Sequence, residues 1–332
     1  MTKYGKGFFC GLCLVSITSC SNLPANSIAV SHLEYNDHLR SSARSQLLTN
    51  VIGLQYHDAP YFLTATSVVS QLSRESSISA ELAIRPPTDD AAGTLGGSLT
   101  FTESPTISYT PLQGESYARL LLTPLPPALI LALAESGWPV DLLLQLSVRS
   151  INGIQNDHEQ GAQFFELTQL LRMMQLNHEL TIHIQRDNSE YQATFLLNPK
   201  LNDAAQQRLF MLRNQLGLTG EIPASFHIHF KFFPTEANEL AIVTRSMLDV
   251  LTMLGQGVTK KTIASQSPRL NIERSQQPPI HAYASARYRD HYYWIGIHDY
   301  QSQQLFMLTQ LLYELTSTTE QNISPVLSIS SS

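Results

Sequence analysis

No cysteine follows Cys20 in this chain of 332 residues, and only Cys10 and Cys13 precede it. Whatever the chain folds into beyond that point must be held by its core, without disulfides, thiol nucleophiles or cysteine metal sites. The Cys10-Gly11-Leu12-Cys13 spacing has the form of a redox or zinc pair. It lies inside an apolar run from Phe8 to Val15, which argues for a targeting segment rather than a site.

That run is preceded by Lys3 and Lys6, with no acidic residue before it, and followed by Ile17-Thr18-Ser19-Cys20. A positive start, a short apolar stretch and small residues before a cut are the layout of a secretory signal. The stretch is far short of the ~20 apolar residues that a spanning helix needs. The tetrapeptide resembles the lipobox of bacterial lipoproteins. The resemblance implies removal of residues 1–19, diacylglycerol on the Cys20 thiol and a fatty acid such as palmitate on the new amino terminus. Two or more acyl chains make anchoring durable where one does not. Ser21, in place of an aspartate that would favour inner-membrane retention, resembles the sorting signal for the outer membrane. The expected address is therefore the cell outer membrane, lipid-anchored and facing the periplasm by default.

Removing Lys3 and Lys6 from the 21 basic residues leaves 19 against 27 acidic ones, a net charge of −8. With no basic cluster, nucleic acid and anionic lipid head groups are poor partners. The longest later apolar segment, Leu120 to Leu133, is interrupted by Pro124, Pro126 and Pro127, so the lipid is the expected membrane contact.

The remaining pattern predicts an α+β fold, with mixed or antiparallel sheets packed with amphipathic helices and two subdomains as one arrangement of them. Residues 20–36 read as a polar, irregular tether, 37–156 as an N-terminal α+β region, 157–316 as a C-terminal one, and 317–332 as a disordered Ser/Thr tail. Leucines and other aliphatics over 37–55 have helical spacing. Strands are predicted over Tyr61–Val69 and Ser76–Ile84, followed by a loop from Pro86 to Gly97. A tight hairpin is predicted from Ser98–Phe101 to Thr106–Thr110 around Glu103-Ser104-Pro105. Helices follow from Gln113 and, with Pro127 in the first turn, from Ala128 to Glu135, stopping at Gly137. Leu142–Val148 reads as a buried strand, and Asn152–His158 as a loop.

Asp157 and Gln160 have capping-box spacing before a helix to Met174. A hairpin joins Leu180–Ile184 to Tyr191–Leu196, and a helix capped by Asn202 or Asp203 ends at Gly217. Ser225–Phe232 reads as a strand. Thr244–Leu254 reads as a helix ended by Gly255 and Gly257, and 259–279 as loop. Ala282–Arg287 and Tyr292–Ile297 form a strand pair, before a helix over Leu305–Leu315. Arg149-Ser150 and Arg245-Ser246 echo each other, but two dipeptides do not establish a repeat.

The chemistry-bearing residues are few. His178-Glu179 with His183 misses the H-E-x-x-H spacing, since the second imidazole is five residues on and falls on a different helical face. His227 and His229 share one strand face, a spacing metal sites use, but no third ligand stands at a telling distance. No G-x-S-x-G, S-x-x-K, phosphate loop or calcium loop occurs. No catalytic residue, metal site or cofactor is therefore assigned. The aromatic residues Tyr109, Trp138, Tyr292, Tyr293 and Trp294 are the candidate interaction surface, with core packing as the competing role. Arg287 to His291 reads as a charged hairpin tip beside them.

The segments Pro105-Thr106-Ile107-Ser108-Tyr109-Thr110-Pro111-Leu112, Leu121-Leu122-Thr123-Pro124, Ser136-Gly137-Trp138, Val148-Arg149-Ser150-Ile151-Asn152-Gly153 and Tyr288 to Ser302 together resemble a group of proteobacterial envelope lipoproteins. Gly296, His298 and Gln303 depart from an acidic pair and a lysine in that group. The group brings no known activity. The resemblance implies an envelope address and a coherent fold over most of the chain. Two functions remain open on the sequence: a non-enzymatic component that binds an envelope protein partner and supports assembly, or a periplasmic hydrolase or binder of a small ligand, lipid or glycan.

Overall fold

A computed structural model of the chain describes residues 25–84, 91–157, 161–187, 190–218, 225–229, 233–234, 239–259 and 268–317. The lipobox with Cys20 and Ser21, the segment 86–90, Gln160 of the expected capping box and the tail beyond Ser317 lie outside the described residues. The fold is α+β, with one mixed and two antiparallel sheets among the described residues.

The first helix, α1, runs from Ala25 to Gln55, so residues 25–36, expected to be irregular, are helical. Pro24 directly precedes it, and neither Gly nor Pro interrupts it before Gly53. Two long strands follow, β1 (Leu63–Ile84) and β2 (Ala91–Pro111), paired antiparallel along their whole length. The expected two short strands and tight hairpin are thus one continuous ribbon, and residues 91–97 belong to a strand rather than a loop. Glu103-Ser104-Pro105 forms no turn; Pro105 pairs with Ser70. In a two-stranded ribbon half of the N–H groups point away from the partner, so a proline is tolerated.

Three helices come next: α2 (Gly114–Leu122), α3 (Pro127–Glu135) and α4 (Val140–Ser147). Pro127 starts α3 and Gly137 follows it at φ 96°, as the sequence predicts. The expected strand over Leu142–Val148 is instead the helix α4, nearly all of it buried. A short apolar run has no polar phase, so burial on every side fits helix and strand alike.

The six-stranded sheet has the order β4-β3-β8-β7-β6-β5, formed by β3 (Val148–Ile151), β4 (Ile154–Gln155), β5 (Leu180–Asp187), β6 (Glu190–Leu197), β7 (Ser225–His229) and β8 (Glu239–Thr244). Only β7 and β8 pair parallel. Asn152 and Gly153, expected to open a loop, form a two-residue turn with φ of 48° and 84°, joining Ile151 to its partner Ile154. Both positive angles suit Asn-Gly, the favoured pair for such a turn. The strand β8 has no counterpart in the sequence reading.

Helix α5 (Gly161–Leu176) packs on α4, and α6 (Asp203–Leu216) packs on α5. Asn202 caps α6 by accepting from Ala205 N–H, and Gly217 closes it at φ 67°. Helix α7 (Met247–Thr259) continues through both glycines expected to stop it. Gly255 is a contact glycine, since a Cβ there would come within 2.6 Å of the Val51 carbonyl oxygen on α1. The chain closes with a second antiparallel sheet, β10-β11-β9, built from β9 (Glu273–Ser275), β10 (Ala284–Tyr288) and β11 (His291–Ile295), and with α8 (Tyr300–Ser317). The three-residue strand β9 falls where loop is expected.

One core runs through this body, from Leu48 and Ile52 on α1 through Leu143, Phe164, Phe226 and Leu251 to Phe306 and Leu312 on α8. Strands from both expected regions, 37–156 and 157–316, share the six-stranded sheet.

Candidate functional site

The five aromatic residues singled out by the sequence occupy three separate places. Tyr109 lies near the base of the β1–β2 ribbon and is 42% exposed. Trp138 sits between α3 and α4, half-buried against the core, and its carbonyl accepts from Gln175 Nε2 at 3.0 Å. Tyr292, Tyr293 and Trp294 lie on β11, where strand alternation separates them. Tyr293 is buried in the core, while its two neighbours are half-buried on the other face.

Tyr293 meets a residue that no local pattern could have nominated. Its hydroxyl is 2.8 Å from that of Tyr56, at the end of α1, and Tyr56 stacks on Tyr288 with centroids 5.4 Å apart. The Arg289 guanidinium lies 4.7 Å from the Tyr56 ring centre and 3.6 Å from the Asp58 carboxylate, which also accepts from the Tyr288 hydroxyl. Arg274 lies over the Tyr293 ring at 5.6 Å and 3.0 Å from Nε2 of His291. Burial, then the hydrogen bond with Tyr56, pushes the Tyr293 hydroxyl up to about 12. Burial, then Asp58, also raises Tyr288. Phenols held protonated in this way are poor bases near neutrality. The cluster joins α1 to the last strand pair as a clamp.

The histidine pattern also disperses. His178 is in a left-handed turn at φ 55°, and Glu179 is buried and paired with Arg208 through Nε at 2.9 Å and through Nη2. His183 lies 3.8 Å from Glu135. His227 is exposed, and the side chain of His229 lies outside the described residues. Among the described residues, no three His, Cys, Asp or Glu side chains converge as metal ligands. A groove of about 430 Å³ opens beside α3, lined in part by Glu135, Arg172 and His178. Arg172 is engaged by Gln175 at 2.6 Å and by Asp141 at 3.8 Å.

The two Arg-Ser dipeptides meet in space. Val148 pairs with Thr244 across β3 and β8, which brings Arg149 within 2.7 Å of Asp249. Arg245 is buried and donates to the carbonyls of Gln145, Leu146 and Asn156. It thereby satisfies the last turn of α4, where a cation is favoured. Ser246 and Asp249 exchange side-chain and backbone hydrogen bonds at the start of α7, a capping box. The echo marks a junction that holds the body together.

The ribbon is different in kind. Neither β1 nor β2 shares more than marginal contact with any other element among the described residues. At ~3.3 Å per residue, a strand of 22 residues extends ~70 Å. Beyond a bulge between Ala65 and Ser67 the register is unbroken from Ser67–Ser108 to Ile84–Ala91.

Residues on one face follow from that register. Val68, Ser70, Leu72, Arg74, Ser76, Ile78, Ala80, Leu82 and Ile84 share it with Ala91, Gly93, Leu95, Gly97, Leu99, Phe101, Glu103, Pro105 and Ile107. The opposite face carries Ser67, Val69, Gln71, Ser73, Glu75, Ser77, Ser79, Glu81 and Ala83. Across from them on that face stand Ala92, Thr94, Gly96, Ser98, Thr100, Thr102, Ser104, Thr106 and Ser108. The first face is mainly apolar; on the other, eleven of eighteen residues are Ser or Thr. Sequence reading missed this because it divided the ribbon into short pieces.

No family model, no curated protein and no solved structure matches the chain. The function must therefore be argued from the chain's own residues. Among the described residues, no helix is long and apolar enough to cross a membrane.

Proposed function

We propose that this is a lipid-anchored envelope protein, without enzymatic activity, that works by assembly through the β1–β2 ribbon. The observation that carries this reading is a ribbon whose register sorts mainly apolar from mainly Ser/Thr positions and which, among the described residues, shares only marginal contact with any other element. An isolated two-stranded hairpin is marginal in water, and each of its strands has an outer edge of unpaired backbone groups. Sequence alternation of this regularity is the signature of a sheet with one face against something apolar. The rest of that interface must come from outside the body, which has its own closed core. The lipobox at Cys20 and the serine at 21 supply the address, an outer membrane reached by lipid, and an envelope protein as the partner.

The test removes the ribbon and keeps the body. Replacing residues 66–108 by an Asn-Gly turn leaves the Tyr56, Arg245 and Glu179 contacts untouched. The expected outcome is an unchanged thermal midpoint by tryptophan fluorescence, since Trp138 and Trp294 both lie in the body. The same variant is expected to lose the crosslinked complexes that the intact protein forms in membranes. Complexes that persist without the ribbon would overturn the reading. In parallel, Cys20→Ser is expected to release the protein from the membrane fraction, and unchanged fractionation would remove the anchor.

A further inference from the structure

We infer that ribbons from several copies of this chain close into a β-barrel across a lipid bilayer, one hairpin per copy, with the aliphatic face toward hydrocarbon and the Ser/Thr face lining a water-filled lumen. This rests on the assembly reading and names the ribbon's partners: further copies at its edges and acyl chains on its face.

Three features of the register carry it. The first is length. From Ser76 to Ile84, and from Ala91 to Leu99, the aliphatic face holds no charged residue. A strand crossing the hydrocarbon layer at a tilt needs about 9–11 residues, which these spans supply. The first charges on that face are Arg74, opposite Phe101, and Glu103, opposite Leu72. They occupy diagonal register positions across the pair and stand where the apolar span ends. Phe101, the next position on that β2 face beyond Leu99, stands at the same end of the span, as aromatic residues do at a bilayer interface.

The second is the opposite face. Over the same span it carries Ser77, Ser79, Glu81, Thr94 and Ser98, all suited to water, with the small residues Ala83, Ala92 and Gly96 between them. A ribbon with both faces against protein would not need this division. Barrels that cross membranes have it in every strand, apolar outward and polar inward.

The third is the edges. Among the described residues each strand pairs only with the other, so the outer edge of each ribbon strand has no partner strand there. In hydrocarbon every backbone N–H and C=O must be bonded, which an open edge forbids and a closed barrel satisfies. Placing β1 of one copy beside β2 of the next continues the up-and-down order. The contact is head-to-tail, and such contacts form rings when the rotation closes.

The lumen has a definite electrostatic character. Glu75 and Glu81 lie on the Ser/Thr face, and no lysine or arginine stands on it between Ser67 and Ala83 or between Ala92 and Ser108. Repeated around a ring, these carboxylates favour cations over anions.

The experiment uses the full, lipidated protein with vesicles of phosphatidylethanolamine and phosphatidylglycerol loaded with a self-quenching dye, and planar bilayers of the same lipids. The expected result is dye release and stepwise conductance that prefers cations. Leu82→Arg, on the aliphatic face, is expected to lower release by about tenfold or more, as a cation at hydrocarbon depth should. Ser79→Arg, on the other face, keeps release and weakens the cation preference. An environment-sensitive fluorophore on single cysteines at 78 to 82 should be quenched by acyl-chain nitroxides at even positions only. Crosslinked complexes without release or quenching would overturn the barrel and leave the assembly reading standing. Even-position quenching without conductance would leave a ribbon lying on the bilayer and also overturn it. Loss of both complexes and release in the intact protein would overturn both readings, and equal effects of the two arginine variants would sink the assignment of faces.

Discussion

The strands β8 and β1 show two ways for one chain to use apolar residues. Glu239 to Ile242 in β8 are all buried, in a strand flanked by β3 and β7 and covered within the body. Its sequence, Glu-Leu-Ala-Ile-Val-Thr, does not alternate, because a strand covered on both faces has no polar side. β1 alternates clearly over Ser77 to Leu82 and, among the described residues, has β2 as its single neighbour. The body therefore completes its own burial, while the ribbon is written for a surface the body does not contain. A mutation in one region should leave the other unmoved, and the predictions below test that separation.

The largest effect is expected at Arg245. Replacing it with methionine keeps much of the volume and removes the donors that satisfy the carbonyls of Gln145, Leu146 and Asn156. Leaving buried acceptors unpaired costs the desolvation of each, so a loss of about 3–5 kcal/mol is expected. Leu72→Ala in the ribbon removes apolar bulk instead, yet should shift the body by less than about 0.5 kcal/mol. Urea denaturation followed by tryptophan fluorescence measures both. Equal losses would mean that ribbon and body fold as one unit.

A middle effect is expected where the sequence was misread. Glycine ends many helices, so Gly255 and Gly257 read as a stop, yet α7 continues past both. Gly255 is there because α1 crosses close to it, and that information belongs to a residue some two hundred positions away. Gly255→Ala should cost about 2 kcal/mol, since the methyl group would press on the Val51 carbonyl and the two helices must separate. An unchanged midpoint would show that the helices do not meet as described.

The same logic separates what was legible from what was not. Local signals were read correctly: Pro127 at a helix start, a cap at Asn202 or Asp203 that proves to be Asn202, Gly217 as a stop, and the β5–β6 and β10–β11 hairpins. Each depends on residues within a few positions. Two kinds of error remain. Apolar runs without a phase were ambiguous, as in α4 and the unread β8. The ribbon was divided because Glu103-Ser104-Pro105 and the glycines at 93, 96 and 97 read as breakers; its alternation emerges only when the two strands are laid in register. Of the site residues, Tyr293 was named but Tyr56 and Asp58 were not, because their contacts join the two ends of the body.

The smallest effect within the body is expected at that join, and it carries a pH signature. The Tyr293 hydroxyl is pushed up to about 12 in the folded protein, while an unfolded tyrosine releases its proton near 10. Between those values the folded state holds a proton that the unfolded state has lost, so stability falls as pH rises. The contribution is complete below about 10 and gone above about 12. Tyr288, raised in the same direction, adds to the fall. Tyr293→Phe removes the hydrogen bond to Tyr56 and should cost about 1 kcal/mol at neutral pH. It should also flatten the alkaline limb of the stability curve, because phenylalanine has no proton to lose. Removing the ribbon should leave that limb in place, since none of Tyr56, Tyr288 and Tyr293 belongs to it. A variant whose alkaline limb matches that of the unaltered protein would show that the phenol pair does not clamp α1 to β11.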